Sequence, residues 1–84
     1  MKYFTYIIQS EKDCSFYIGY TSDLENRLEF HNSGESKYTS KKIPWKLVYF
    51  EEFEFKSDAI KREIFLKKQR NKDFYERLIK SLEP

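Results

Sequence analysis

Two strand-like segments joined by a short polar loop make up residues 3–20, which read YFTYIIQSEKDCSFYIGY. Residues 3–9 and 16–20 are rich in aromatic and β-branched side chains, a composition typical of β-strands. The loop at residues 10–15 is short enough to connect neighbouring antiparallel strands. This stretch therefore predicts a β-hairpin at the start of the fold.

A helix and a third strand are predicted after the hairpin. Ser22 and Glu25 have the spacing of a capping box, in which the serine caps the helix and the glutamate reaches back to it. Gly34 is placed to end this helix in a left-handed conformation. Residues 35–44 form a predicted loop, and residues 45–53, WKLVYFEEF, predict a strand with a largely buried centre.

Two more helices are predicted in the remainder of the chain. Ser57 and Asp58 open the first of them. Either Asn71 or Asp73 opens the second, which continues to about Leu82. The predicted order is β-β-α-β-α-α. We expect an α/β (α+β) fold in which a three-stranded, mostly antiparallel sheet is flanked by helices.

The composition limits the kinds of site that the chain can build. The chain has 84 residues, so we expect a single domain spanning residues 1–84. One cysteine and one histidine exclude a disulfide framework and metal sites built from several thiolates or imidazoles. Oxygen ligands remain, and they favour a hard ion such as Mg²⁺. Because the longest apolar run is only Leu47–Phe50, we expect no membrane segment and a cytoplasmic location.

The charged residues are unevenly distributed along the chain. Residues 1–36 carry a net charge of −3, whereas residues 37–84 carry a net charge of +5. Lysines without any intervening acid recur in residues 37–46, and a second basic cluster lies in residues 61–72. Such clusters are typical of a surface that binds a polyanion, although a solvated, lysine-rich surface explains them equally well.

Glu63 faces the predicted core side of the second helix. Steps of about 100° per residue place Glu63 at about 40° from Ala59. The apolar side chains of this helix centre near ~55°, and they are Ala59, Ile60, Ile64 and Leu66. Burying an unpaired carboxylate is unfavourable. Glu63 is therefore either paired with a neighbouring lysine or arginine, or a metal ligand at the rim of a cleft.

Arg27 and His31 share one side of the first predicted helix. They have the i, i+4 spacing of neighbours on a helix, and they lie beside the apolar stripe of Leu24 and Leu28. A permanently charged guanidinium next to an imidazole suits a phosphate-binding site. The alternative is a pair of surface side chains that cover apolar neighbours, with His31 interacting with the helix dipole.

Tyr6 and Tyr17 fall on the two strands of the predicted hairpin, so we expect them to lie near each other, directly or diagonally. Their hydroxyls can donate to a phosphate or take part in proton transfer. Aromatic residues are also common in strands for packing reasons alone. Gly19 lies inside the second strand, where a glycine often marks a bulge or a close backbone approach.

Taken together, these residues resemble the GIY-YIG nuclease family. The resemblance covers essentially the whole chain, and it is greatest with the small stand-alone bacterial members. The second triplet of the family is intact as Tyr17-Ile18-Gly19, whereas the first reads Phe4-Thr5-Tyr6. The other matching positions are Arg27, His31 and Glu63.

The resemblance implies a role for each residue of the site. Tyr17 would act as the general base or position the attacking water, with Tyr6 as the matching tyrosine of the first triplet. Gly19 would let the backbone pack closely at the site. Arg27 would bind the scissile phosphate, and His31 would support proton transfer or contact the phosphate.

The resemblance also implies a cofactor and a ligand. Glu63 matches the single acidic metal ligand of the family, so Mg²⁺ or Mn²⁺ is the expected cofactor. Nucleic acid, with DNA first, is the expected ligand. The chain has no room for a separate target-choosing domain, and a protein partner is one way to supply that choice. The expected nucleic-acid contacts are Lys37, Tyr38, Lys41, Lys42, Lys67 and Lys68.

Three functions fit this sequence. The first is a metal-dependent endonuclease that hydrolyses phosphodiester bonds in DNA, with structured or damaged DNA among the open substrate classes. The second is a non-catalytic nucleic-acid-binding module on the same fold. The third is a protein-interaction domain in which Tyr38, Trp45 and lysine side chains form the partner surface.

Overall fold

The computed structural model describes residues 1–82. Its elements follow the predicted order, and their bounds are β1 Tyr3–Ser10, β2 Phe16–Thr21, α1 Leu24–Asn32, β3 Trp45–Phe53, α2 Lys56–Gln69 and α3 Lys72–Lys80. A 3-10 helix, Ser40–Lys42, lies in the connection between α1 and β3. The predicted sequence of strands and helices is therefore confirmed.

The sheet is antiparallel throughout, with β1 in its centre. β1 pairs with β2 on one side and with β3 on the other, which gives the order β2-β1-β3. The pairing of β1 with β3 changes register between Ile7 and Ile8. The predicted fold class is confirmed, and β2 is an edge strand, open along one side.

Helices cover both faces of the sheet, and alternate residues of β1 serve the two faces. On the face covered by α1, Tyr6 and Ile8 pack with Trp45, Leu24 and Leu28. On the opposite face, α2 and α3 complete a cluster made of Ile7, Ile18, Tyr49, Leu66 and Tyr75. Tyr6 therefore belongs to the α1 face, whereas its neighbour Ile7 belongs to the face of α2 and α3.

The cap of α1 differs from the predicted one. Asp23, not Ser22, is the N-cap residue, and its carboxylate accepts a hydrogen bond of 3.1 Å from the backbone N–H of Asn26. Asp23 also binds the Asn26 side chain, so the carboxylate makes two contacts where a serine hydroxyl would make one. Gly34 follows the helix with a φ of +85°, which confirms the left-handed end that only glycine adopts easily.

The last two helices also shift slightly from their predicted bounds. α2 begins at Lys56, ahead of Ser57 and Asp58, and Phe55 provides no side-chain cap. Asn71 caps α3 by accepting from the backbone N–H of Phe74, so the first of the two predicted openings is right. α3 ends at Lys80. Leu82 lies beyond it and is 56% exposed.

Candidate active site

The backbone of Gly19 leaves room for the ring of Tyr6. Gly19 lies directly opposite Tyr6 in the ladder between β2 and β1. A Cβ atom at Gly19 would lie 2.5 Å from the Tyr6 hydroxyl oxygen and 2.8 Å from Cζ, distances that no side chain tolerates. The predicted close approach at Gly19 is confirmed, and its physical reason is the phenol of Tyr6.

Tyr17 lies diagonally across the ladder from Tyr6. Its direct partner on β1 is Ile8, two residues beyond Tyr6, so the two tyrosines share the α1 face. The ring of Tyr17 is half-buried and packs against His31, with 4.9 Å between ring centroids, and against Trp45 at 6.3 Å. The structure thus brings both predicted tyrosines to the predicted histidine.

A chain of hydrogen bonds runs from Tyr6 into the connection between α1 and β3. The Tyr6 hydroxyl lies 2.9 Å from Nε2 of His31, and Nδ1 of His31 lies 3.0 Å from Oγ1 of Thr39. Trp45 donates from its indole nitrogen to the Thr39 carbonyl at 2.9 Å. Thr39 was not predicted as a site residue. It is fully buried, and it holds the imidazole from the side opposite Tyr6.

Burial keeps both members of the Tyr6–His31 pair uncharged near neutral pH. It raises the pKa of Tyr6 to about 12, while the Arg27 guanidinium acts in the opposite direction. Burial, together with the charge of Arg27, lowers the pKa of His31 to about 4. His31 is fully buried, so its imidazole does not reach the solvent. Its Nε2 contacts the hydroxyl of Tyr6 instead. The bonding pattern is satisfied when Tyr6 donates to Nε2 and Nδ1–H donates to Thr39.

Arg27 is held at this site by two contacts. Its Nε–H donates to the Tyr6 hydroxyl at 3.4 Å, and its guanidinium carbon lies 4.6 Å from the ring centroid of Phe30. None of the ion pairs among residues 1–82 includes Arg27. The terminal nitrogens of the guanidinium therefore remain able to bind an anion.

Glu63 lies on α2, which packs against β1 and β2. Its side chain is 14% exposed and forms an ion pair of 3.0 Å with Lys67. The carboxylate is close enough to contribute to the raised pKa of Tyr6, and the Lys67 amine lies 6.0 Å from the ring centroid of Tyr17. The predicted pairing of Glu63 with a neighbouring lysine is therefore confirmed, and its role as a metal ligand stays a prediction.

The apolar face of α2 is narrower than predicted. Ala59 and Leu66 are fully buried, whereas Ile64 is 47% exposed. The buried side of α2 is therefore centred closer to Ala59 and Leu66 than the positions of all its apolar residues predict. Glu63 still faces the sheet, because its direction lies near that of Ala59.

The oxygen donors at the site suit a divalent ion only in part. Within residues 1–82, no group of three or more His, Cys, Asp and Glu side chains is arranged to hold a metal. Glu63 therefore does not belong to a cluster of three such groups. Mg²⁺ is commonly bound by one or two carboxylates, with water and substrate phosphate oxygens in the other positions. The donor set fits such a shared site and does not fit a closed protein cage.

The predicted basic contacts divide into two groups. Lys37, Lys41 and Lys68 are exposed, as is Tyr38, which is 86% exposed and follows Lys37 directly. Lys67 forms the ion pair with Glu63 described above. Lys42, in contrast, is paired with Asp13 at 3.4 Å and donates to Ser15, so it ties the 3-10 helix to the hairpin loop.

Two residues of the basic and aromatic surfaces have structural roles. Trp45 is 5% exposed, so the expectation that it forms a partner surface with Tyr38 is wrong; its ring packs under the hairpin instead. Arg62 belongs to the second basic cluster, but it forms an ion pair of 3.0 Å with Glu51.

Among the helices of the described chain, none combines the length and the apolar character needed to cross a bilayer.

Known proteins with similar sequences are small bacterial ones. A UPF0213 protein of Streptococcus pneumoniae serotype 4 is 41% identical over 70 residues, covering 82% of this chain and 70% of that protein. The UPF0213 protein YsiG of Lactococcus lactis subsp. lactis is 48% identical over 67 residues, covering 79% of this chain and 64% of that protein.

The fold and the family agree with these sequence matches. The solution NMR structure of a UPF0213 protein from Bacillus halodurans is similar, with a TM-score of 0.59 and 34% identity. That match covers 99% of this chain and 86% of the other. The family model for the GIY-YIG catalytic domain matches residues 2–77. The chain therefore belongs to the GIY-YIG catalytic domain family.

Proposed function

We propose that this chain is a metal-dependent endonuclease that hydrolyses phosphodiester bonds in DNA. The observation that carries the proposal is that four different elements, β1, β2, α1 and α2, bring Tyr6, Tyr17, Arg27 and Glu63 into one neighbourhood. Hydroxyls, a cation and a carboxylate are the groups that phosphodiester hydrolysis needs to move a proton and stabilise charge. Membership of the family supports the reaction class.

Arg27 is the residue that would bind the scissile phosphate. Its Nε–H and its stacking on Phe30 fix the plane of the guanidinium. The terminal nitrogens can then donate to two phosphate oxygens at once. Because negative charge increases on the phosphoryl oxygens as the water attacks, a fixed guanidinium stabilises the transition state more than the ground state.

Tyr6 would serve as a neutral hydrogen-bond donor that holds its neighbours. With a pKa of about 12 it stays protonated at neutral pH, so it does not act as a base there. It joins Arg27 to His31 and fixes the relative positions of the two side chains. Tyr17 is half-buried beside them, and its hydroxyl would orient the attacking water.

Glu63 would hold Mg²⁺ or Mn²⁺ together with water and phosphate oxygens, and Lys67 would leave the carboxylate to allow it. The bound ion would act as a Lewis acid that stabilises negative charge on the oxygens of the phosphate. The exposed Lys37, Tyr38 and Lys68 would contact the nucleic-acid backbone without reading its sequence.

A substrate panel tests the proposal. The purified protein is incubated with supercoiled plasmid, branched DNA, single-stranded DNA and RNA, with and without Mg²⁺ or Mn²⁺. We expect cleavage of DNA that depends on the metal and is lost in Glu63→Ala. Glu76→Ala, an exposed glutamate on α3, is the matched control and should cleave normally. No cleavage of any substrate, or cleavage unaltered by Glu63→Ala, contradicts the proposal.

One observation favours the second candidate, a non-catalytic nucleic-acid-binding module. Lys67 already pairs with Glu63, so the carboxylate is neutralised without a metal. The two functions separate in the variants Glu63→Ala and Tyr17→Phe. An endonuclease loses cleavage in both while its salt-dependent DNA binding persists. A binding module shows the same salt-dependent binding but no cleavage even in the unmodified chain.

A further inference from the structure

A groove beside Arg27 has no role in the site described so far. It has a volume of about 380 Å³ and opens where β1 begins, next to the connection between β2 and α1 and the first turn of α2. The residues that line it are Tyr3, Tyr20, Thr21, Ser22, Arg27 and Lys56. Lys56 lies outside both basic stretches of the sequence, and nothing in the sequence pattern indicates it.

The groove brings together two cations that pair with no carboxylate of the described residues. Arg27 comes from α1 and Lys56 from α2, and neither takes part in an ion pair among residues 1–82. Cations that face one cavity repel each other unless an anion enters it. The hydroxyls of Tyr3, Tyr20 and Ser22 around the groove are hydrogen-bond donors that suit the oxygens of such an anion.

The position of the groove relative to Glu63 indicates which anion it takes. Lys56 and Glu63 are seven residues apart on α2, so they lie on nearly the same side of the helix, two turns or ~10 Å apart along its axis. Lys67 follows one turn beyond Glu63. Arg27 lines the groove and also bonds Tyr6, so the groove is continuous with the site. The cations lie on two helices, Arg27 on α1 and Lys56 and Lys67 on α2. A strand of linked phosphates matches this distribution of positive charge better than a single ion does.

We propose that this groove binds the phosphate next to the scissile one in a nucleic-acid strand, with Lys56 as its principal cation. The proposal rests on the proposed function for the placement of the scissile phosphate at Arg27. Arg27 contacts both phosphates, and Lys56 contacts only the neighbouring one. The rings of Tyr3 and Tyr20 provide stacking surfaces for the nucleotide that joins the two phosphates.

Short probes in the absence of divalent metal test the groove without any cleavage. The probes are a thymidine dinucleotide without terminal phosphate and the same dinucleotide with a 5′- or a 3′-phosphate, titrated into the ¹⁵N-labelled full chain. We expect one of the two terminal phosphates to tighten binding about fivefold, the size of one charge-assisted contact at a surface. The amides of residues 20–22 and 56 should shift when that phosphate is present.

The variant Lys56→Gln should lose the fivefold gain while retaining the affinity for the unphosphorylated dinucleotide. Lys80→Gln, which makes the same charge change on an exposed residue of α3, should keep the gain. The proposal is overturned if neither terminal phosphate tightens binding, if Lys56→Gln keeps the gain, or if the shifts occur only in residues 37–46. Because no cleavage is measured, a negative result in the substrate panel does not affect this outcome, and the converse also holds.

Discussion

A tyrosine, a glutamate and an arginine come together at two places in this protein, and the two groups differ in how they are bonded. In the closed triad, Tyr49, Glu51 and Arg62, the Tyr49 hydroxyl donates to Glu51 at 2.6 Å. Arg62 donates from Nε to both carboxylate oxygens at 3.1 Å. In the open triad, Tyr6, Arg27 and Glu63, the arginine bonds the tyrosine, but Lys67 pairs with the glutamate.

The difference shows how the same residue types are bonded to one another in one place and remain open to a ligand in the other. Burial raises the pKa of Tyr49 to about 12, and the hydrogen bond to Glu51 adds to the rise. Tyr6 has a similar pKa. The closed triad uses its charges among its own members and ties α2 to β3. In the open triad the arginine keeps free donors, and the carboxylate is held by a single lysine that a ligand can displace.

The largest expected effect separates the two glutamates by activity. Glu63→Gln should reduce DNA cleavage by on the order of 10²–10³-fold, because the variant loses the charge that we propose holds a metal. Glu51→Gln should retain most of the activity. Initial rates with the best substrate of the panel, measured at saturating Mn²⁺, compare the two. Equal losses in both variants would show that the closed triad also takes part in the reaction.

A pH dependence of stability should arise from His31, which bonds Tyr6 of the open triad. His31 has a pKa of about 4 in the folded protein and an ordinary value of 6.5 in the unfolded chain. The unfolded chain therefore binds more protons between pH 6.5 and pH 4, and stability falls as the pH is lowered through this window. Thermal melts across it should show a steeper decline for the unmodified chain than for His31→Gln. Parallel curves would contradict a buried, neutral imidazole.

A stability effect should separate the two glutamates in the opposite order. Glu51→Gln should lower the free energy of unfolding by about 1–2 kcal/mol, since charged hydrogen bonds to Arg62 are lost. Glu63→Gln should change it by less than ~0.5 kcal/mol, because its lysine partner is half-exposed and surface pairs contribute little. Urea unfolding at pH 7 measures both. A larger loss of stability in Glu63→Gln than in Glu51→Gln would contradict the stabilising role of the closed triad.

The smallest expected effect concerns the lysine on the open triad. Lys67→Met removes the cation that competes for Glu63 and keeps much of the side-chain volume. Binding of Mn²⁺, followed by paramagnetic broadening of the Tyr6 and Tyr17 ring signals, should tighten severalfold, by about 1 kcal/mol or less. Lys68→Met, on the next residue of α2, should leave Mn²⁺ binding unchanged. Weaker binding in Lys67→Met would mean that the lysine supports the site and does not compete for it.

Local patterns were sufficient to predict the strands and the positions that the strands control. Because residues of a hairpin pair in register, the pattern predicts that Tyr6 and Tyr17 lie close, and they do. It also predicts a close approach at Gly19, and the Tyr6 ring makes that approach. The helical period likewise predicts the direction of Glu63. The roles of these residues in a reaction, the metal and the substrate stay predictions.

Other features depend on contacts that no local pattern contains. Thr39 meets His31 because the connection between α1 and β3 folds back over the sheet, and neither residue predicts that path. Ile64 is exposed although it lies on the predicted apolar side of α2, and the helical period alone does not show which part of that side is covered. Asp23 replaces Ser22 as the cap because it also binds the side chain of Asn26, an effect outside the capping-box pattern.

The hydrogen bonds of Thr39 give the protein an intrinsic reporter. Thr39 joins His31 to Trp45, and these are the only histidine and the only tryptophan in the sequence. Any event that moves the imidazole therefore alters the surroundings of the sole indole. Tryptophan fluorescence and a single pair of imidazole proton resonances can follow ligand arrival in unlabelled protein, with no background signal from elsewhere in the chain.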